Sequence, residues 1–177
     1  MAIVVLIMIT AALAAPGLMR TMSAERAQRA TFDLGRLARE ARAESISYGR
    51  AYLLVLDTTA PGRMELWRGI TDSCRFNRWN DILVSNGCQS EPRAADCVDS
   101  VDLQSYSASG QQVRLGTSGP TMICFEPDDE IWVSSTGVTG LRRPEQAVTL
   151  SIQRFEGSTG LEQRRLLLPI SGAPRVM

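Results

Sequence analysis

Four cysteines, Cys74, Cys88, Cys97 and Cys124, carry most of the reactive chemistry this sequence offers. Their spacings of 14, 9 and 27 include no Cys-x-x-Cys pair, so a thiolate zinc site is not indicated. An even count downstream of an apolar start suits two disulfides formed in an oxidising compartment. Free buried thiols are the blander alternative. Three pairings are open, and Cys74–Cys88 with Cys97–Cys124 is the favoured one. Each bridge would staple a loop poor in regular structure, worth about 2–4 kcal/mol.

Carboxylates cluster once. Glu126, Asp128, Asp129 and Glu130 fall within six residues of "EPDDEI". Hard cations want clustered oxygens, so a calcium site is one reading. The favoured one is a solvated turn between strands, because the cluster lacks an Asp-x-Asp-x-Asp-Gly loop. Glu65, Asp81 and Asp96 have no spacing that would bring two carboxylates together as an acid/base pair. Histidine is absent, which excludes a Ser-His-Asp triad, a Cys-His dyad and imidazole metal ligands. No glycine-rich phosphate loop is present. No catalytic, cofactor-binding or metal-binding constellation is expected, and no small-molecule substrate.

All nineteen basic residues are arginine and the formal net charge is zero, so there is no bulk pull toward nucleic acid. Arg142, Arg143, Arg164, Arg165 and Arg175 could still form a basic edge. Arg164, Arg165 and Arg175 are the candidates for DNA contact, with ordinary surface charge as the favoured reading. Trp67, Trp79 and Trp132 are dispersed and read as core or loop anchors.

The elements that must position these groups begin with "MAIVVLIMITAALAAPG". Ile3, Val4, Val5, Leu6, Ile7, Ile9 and Leu13 make an apolar run closed by Pro16 and Gly17. As a helix, Met1 to Ala15 covers about 22 Å, short of the ~30 Å of a bilayer core. A secretory signal is one rival, since "ALAAPG" offers small residues for cleavage, but no basic residue precedes the apolar run; a buried core helix is another, though an all-round apolar helix at a chain terminus rarely finds enough cover. Beyond Gly17, Ala27, Ala30, Leu34, Leu37, Ala41 and Ser45 recur at steps of three and four, a stripe on one helical face. Gly49 ends the pattern as a C-terminal glycine does. One helix with a kink or break at Pro16 is expected.

Thereafter the period changes. Ala51–Asp57 and Arg63–Ile70 flank "TTAPG" as a hairpin. Residues 71–100 are polar, hold three of the cysteines and are expected to form a disulfide-pinned loop. Gln112–Leu115, Thr121–Phe125 and Glu130–Ser134 read as strands, and "AVTLSIQRF" alternates as a half-buried one. "RRLLLPI" closes the sheet and "SGAPRVM" trails away.

An apolar helix, a proline, and then "LAREARAESISYGRAYLLVLD" together resemble the type IV pilin-like proteins, most of all the minor pilins and pseudopilins of the FimT/GspH group. "ICFEPDDE" is similar to that family's F-x-P-x-G turn, with Asp129 in place of the glycine, and "LLLPISGAPR" to its closing strand and tail. The family's leader and F-T-L-[IV]-E mature start are not seen. Aligning Pro16 with the family's proline leaves the run about six residues short, and six more would bring it to about 31 Å. Met1 is then an internal methionine of the mature helix.

The resemblance implies an α+β fold: a long N-terminal α-helix packed on an antiparallel β-sheet domain. Residues 1–22 would be a transmembrane or filament-core half-helix, 23–49 an amphipathic half packed on the sheet, and 50–177 a periplasmic β domain. It further implies a non-enzymatic subunit of a type IV pilus or type II secretion pseudopilus. Such a subunit is anchored in the bacterial inner membrane and contacts other subunits through Ala2–Ser45. A DNA-binding minor pilin and a secreted periplasmic binding domain are the alternatives.

Overall fold

The computed structural model describes residues 2–59, 61–83, 87–89, 94–108, 110–170 and 174–176, with side chains from Ala24 onward except that of Arg175. It is an α+β chain with one long helix and two antiparallel sheets. Helix α1 spans Ala2–Tyr48. It passes through Pro16 and Gly17 without the expected break, because a proline forfeits one backbone bond and the ladder on either side persists. Gly49 terminates it with φ +62°, a left-handed conformation that glycine adopts without a Cβ penalty.

The first sheet has the order β3-β2-β1-β5-β6, from β1 (Tyr52–Asp57), β2 (Arg63–Arg68), β3 (Cys97–Asp102), β5 (Met122–Phe125) and β6 (Ile131–Ser134). The second has the order β4-β7-β8-β9, from β4 (Gln111–Leu115), β7 (Val148–Glu156), β8 (Thr159–Leu168) and β9 (Arg175–Val176). The strand pattern predicts one sheet. Alternation identifies a strand's buried face but carries no information on which strand lies beside it. Two further expectations change. The loop 71–100 gives up its last residues to β3, whose "CVDSVD" pairs with β2 as a charged edge strand. The tail returns as β9, opposite Leu166 and Leu167.

Ala27, Ala30, Leu34, Leu37 and Ala41 of the helix stripe join Tyr52, Leu54, Leu66 and Ile123 of the first sheet and Val113, Leu150, Ile152 and Leu166 of the second in one core. Ser45 continues the stripe at 0% exposure. Helix and sheets thus bury what each alone would expose. Thr31, also buried, bonds the Ala27 carbonyl at 2.8 Å, which satisfies its hydroxyl inside the helix. A second cluster lies on the far side of the first sheet. Leu53, Trp67, Trp79, Ile82 and all four cysteines pack there beneath the chain between β2 and β3.

Candidate functional site

The covering segment is held by two disulfides, and their pairing differs from the favoured one: Cys74 joins Cys124 and Cys88 joins Cys97. The reason lies in the sheet. Cys124 sits in β5 and Cys97 opens β3, so each strand presents its sulfur to a different part of the loop above it. Consecutive order along the chain does not decide the pairing once strands from elsewhere form the floor.

Polar groups complete the attachment. Glu65, 8% exposed on β2, accepts the indole N–H of Trp67 at 3.1 Å, the Cys88 N–H at 3.0 Å and Arg63 at 3.2 Å. Two of these donors stand on β2 beside it, and the third, Cys88 N–H, ties the loop to the strand. The other two carboxylates named above are engaged separately: Asp81 pairs with Arg78 and Asp96 with Arg68. At the other end, Trp79 donates to the Cys74 carbonyl at 2.8 Å, and the Cys74 N–H donates to Glu126 Oε1 at 2.5 Å. Asn77 organises the segment between. Its Oδ1 accepts from Ile70 N and Thr71 N, and its Nδ2 donates to the Thr71 and Ser73 carbonyls. Gly69 makes room for it, since a Cβ there would lie 2.7 Å from the Asn77 amide and 2.8 Å from Ala51 O.

The acidic turn joins β5 to β6. Glu126 N and Glu130 O close it at 2.9 Å, and Asp129 occupies the left-handed region with φ +72°. This is the position where the resembled turn carries glycine. Aspartate tolerates that conformation better than most residues, and here Arg42 of α1 holds its side chain. Arg42 also reaches Asp129 O, and Ser45 Oγ lies 3.3 Å from Glu126 O, so the turn is fastened to the helix. Glu126, Asp128 and Glu130 each bring an oxygen within 4.8 Å of the others. Each already has a partner: Glu126 the Cys74 N–H, Asp128 the Glu130 N–H within the turn, and Glu130 the Arg143 guanidinium.

Two tyrosines clamp α1. Tyr52 donates to Glu44 at 3.1 Å and Tyr106 to Asp33 at 2.6 Å. Burial first, and the adjacent carboxylate second, push both phenols up to about 12. Arg36 bonds Asp33, Glu40 and Asp99, and the Asp99 hydrogen bond raises its pKa further.

The other expected residues divide clearly. Arg164 pairs with Glu162, Arg165 is exposed on the opposite face of β8, and Arg175 lies in β9 with its side chain outside the described residues. Arg164 and Arg165 therefore do not share a patch. Ile3, Val4, Val5, Leu6, Ile7, Ile9, Leu13, Pro16 and Gly17 lie on the helical backbone, and their side chains also fall outside the described residues. Among the described residues no helix is long and apolar enough to cross a membrane.

Protein-family models, characterised proteins and solved structures were all compared with the chain, and none matches it.

One arrangement was missed in the sequence. Trp132 stands on β6 opposite Cys124, with Arg75 5.7 Å and Arg143 5.2 Å from its ring centroid. The only signal was indirect: Arg75 follows a bridged cysteine, and Arg143 follows Arg142, which bonds Val133 across β6.

Proposed function

We propose that this chain is a minor pilin or pseudopilin, a structural subunit that primes or caps a type IV pilus or a type II secretion pseudopilus. The carrying observation is the division of α1. From Ala27 to Ser45 its stripe is fully buried by the two sheets, while the same rod extends toward the N-terminus through an apolar sequence. A helix of 47 residues is about 70 Å long, more than a small β domain can cover. An apolar half-helix of this kind exchanges lipid for a bundle of like helices at little cost, since both surroundings are comparably apolar. Phe32 and Ile46, each at least half exposed on the flank of α1, offer further contact to neighbouring helices.

On this reading the chain is anchored in the inner membrane with its β domain in the periplasm, where both disulfides form. The chemistry is assembly rather than turnover. The test is fractionation combined with cross-linking. The chain should stay with membranes through an alkaline wash, and a photo-reactive residue in place of Leu13 should capture other filament subunits. Release into the soluble fraction, or the absence of any heteromeric product, would refute the proposal.

A further inference from the structure

The segment from Gly69 to Trp79 is more ordered than its own burial requires. Four hydrogen bonds to Asn77, a bridge from Cys74 to β5 and the Trp79 contact fix its backbone. Yet it holds Phe76 79% exposed and Ile70 55% exposed. Rigid display of large apolar side chains reduces the ordering cost of association, and Phe, Trp and Arg are typical of interface centres. Beside Phe76, Arg75 lies over Trp132, whose indole N–H finds no acceptor among the described residues. Arg143 lies near the same ring but is already matched by Glu130, whereas among the described residues no carboxylate pairs with Arg75.

We propose that this loop is a recognition surface for an acidic segment of another protein, with Arg75 over Trp132 taking a carboxylate and Phe76 entering an apolar recess of the partner. Charge complementarity selects that class over nucleic acid. A polyphosphate needs a run of cations, whereas this loop's other arginine, Arg78, already pairs with Asp81, and Asp72 lies on the same loop. One carboxylate on a protein needs only the guanidinium of Arg75. The inference does not depend on the filament reading, because it uses only the β domain's surface.

The test uses the whole chain in neutral-detergent micelles and three fluorescein-labelled probes: the peptide Glu-Glu-Phe-Glu-Glu, its glutamine counterpart, and an oligothymidylate of equal charge. The acidic peptide should bind saturably with a Kd of about 0.1–1 mM, and added salt should weaken it. Arg75→Glu should weaken it by about tenfold or more, and Phe76→Ser by several-fold. Arg78→Glu on the same loop, where Asp81 already pairs the arginine, should leave it within about twofold. Arg75 and Phe76 are exposed, so both variants keep the fold. Equal binding of the glutamine peptide, equal loss with Arg78→Glu, or no saturable binding would overturn the proposal. Preference for the oligothymidylate would overturn it in favour of nucleic acid.

Discussion

On the outer side of β1 and β2, Leu53 and Trp67 lie buried beneath a disulfide-held segment, whereas the outer side of β7 and β8 turns Thr149, Gln163 and Arg165 into solvent. The inner sides of both sheets belong to one core with α1. The two outer sides therefore separate what the helix and sheets provide from what the bridged loop adds. They also account for two kinds of strand. In β1, Tyr52–Leu56 is apolar at every position because both sides are covered, while β7 alternates because one side is wet.

The strongest way to break the contrast is to release the cover. Replacing Cys74 and Cys124 together by alanine opens a crosslink of 50 residues' separation, while replacing Cys88 and Cys97 opens one of 9. Loop-closure entropy gives a loss of about 4 kcal/mol for the first pair and about 3 kcal/mol for the second. Urea unfolding of the two double variants should preserve that order. A reversed order would mean that the short bridge, with Glu65 beside it, holds the loop.

A sharper comparison uses one position on each outer side. Leu53→Ala removes a side chain that is 0% exposed and should cost about 3 kcal/mol through lost burial and the cavity left behind. Ser151→Ala, on the outer side of β7, should stay within about 0.5 kcal/mol. If the two fall together, the segment over β1 is not a second core.

Much of this arrangement was legible in the chain. The helix stripe was, because Ala27 through Ser45 keep a strict period against a single buried face. The β1–β2 hairpin was, because "TTAPG" punctuates two apolar runs. The sheet partners were not, since pairing depends on contacts distant in sequence, and for the same reason neither was the Cys74–Cys124 bridge. The β3 strand was hidden by its own edge character: Asp99 and Asp102 suit a rim and read as loop. Trp132 was visible as an anchor, but nothing in the sequence places Arg75 and Arg143, 68 residues apart, beside it.

The β5–β6 turn tests how the helix is fastened to the first sheet. Asp129→Ala loses the Arg42 contact and leaves a Cβ in a left-handed conformation without a local polar partner. The two losses together should amount to about 2 kcal/mol. Asp129→Gly also loses the contact but removes the backbone cost, and should destabilise by about 1 kcal/mol or less. Thermal unfolding of the pair separates clasp from conformation. Equal losses would assign the whole effect to Arg42.

A small effect at neutral pH comes from the tyrosines that tie α1 to the rest, and it fades in alkali. Tyr52→Phe or Tyr106→Phe deletes one hydrogen bond to a helix carboxylate and should cost about 1 kcal/mol. The sign with pH follows from the raised phenols. In the unfolded chain each loses its proton near 10, while in the folded chain each keeps it up to about 12. Their stabilisation is therefore complete below pH 10 and drains away as pH climbs from 10 toward 12, because only the unfolded state gains from ionisation in that window. Unfolding followed by tyrosinate absorbance should show wild-type stability falling through this range and the double phenylalanine variant falling less. Each single variant reports one end of the clamp, Tyr52 where β1 leaves the helix and Tyr106 where the chain enters β4. If only Tyr106→Phe flattens the curve, the helix is held against alkali from the second sheet's side, and the first sheet relies on its stripe contacts and the Arg42 clasp.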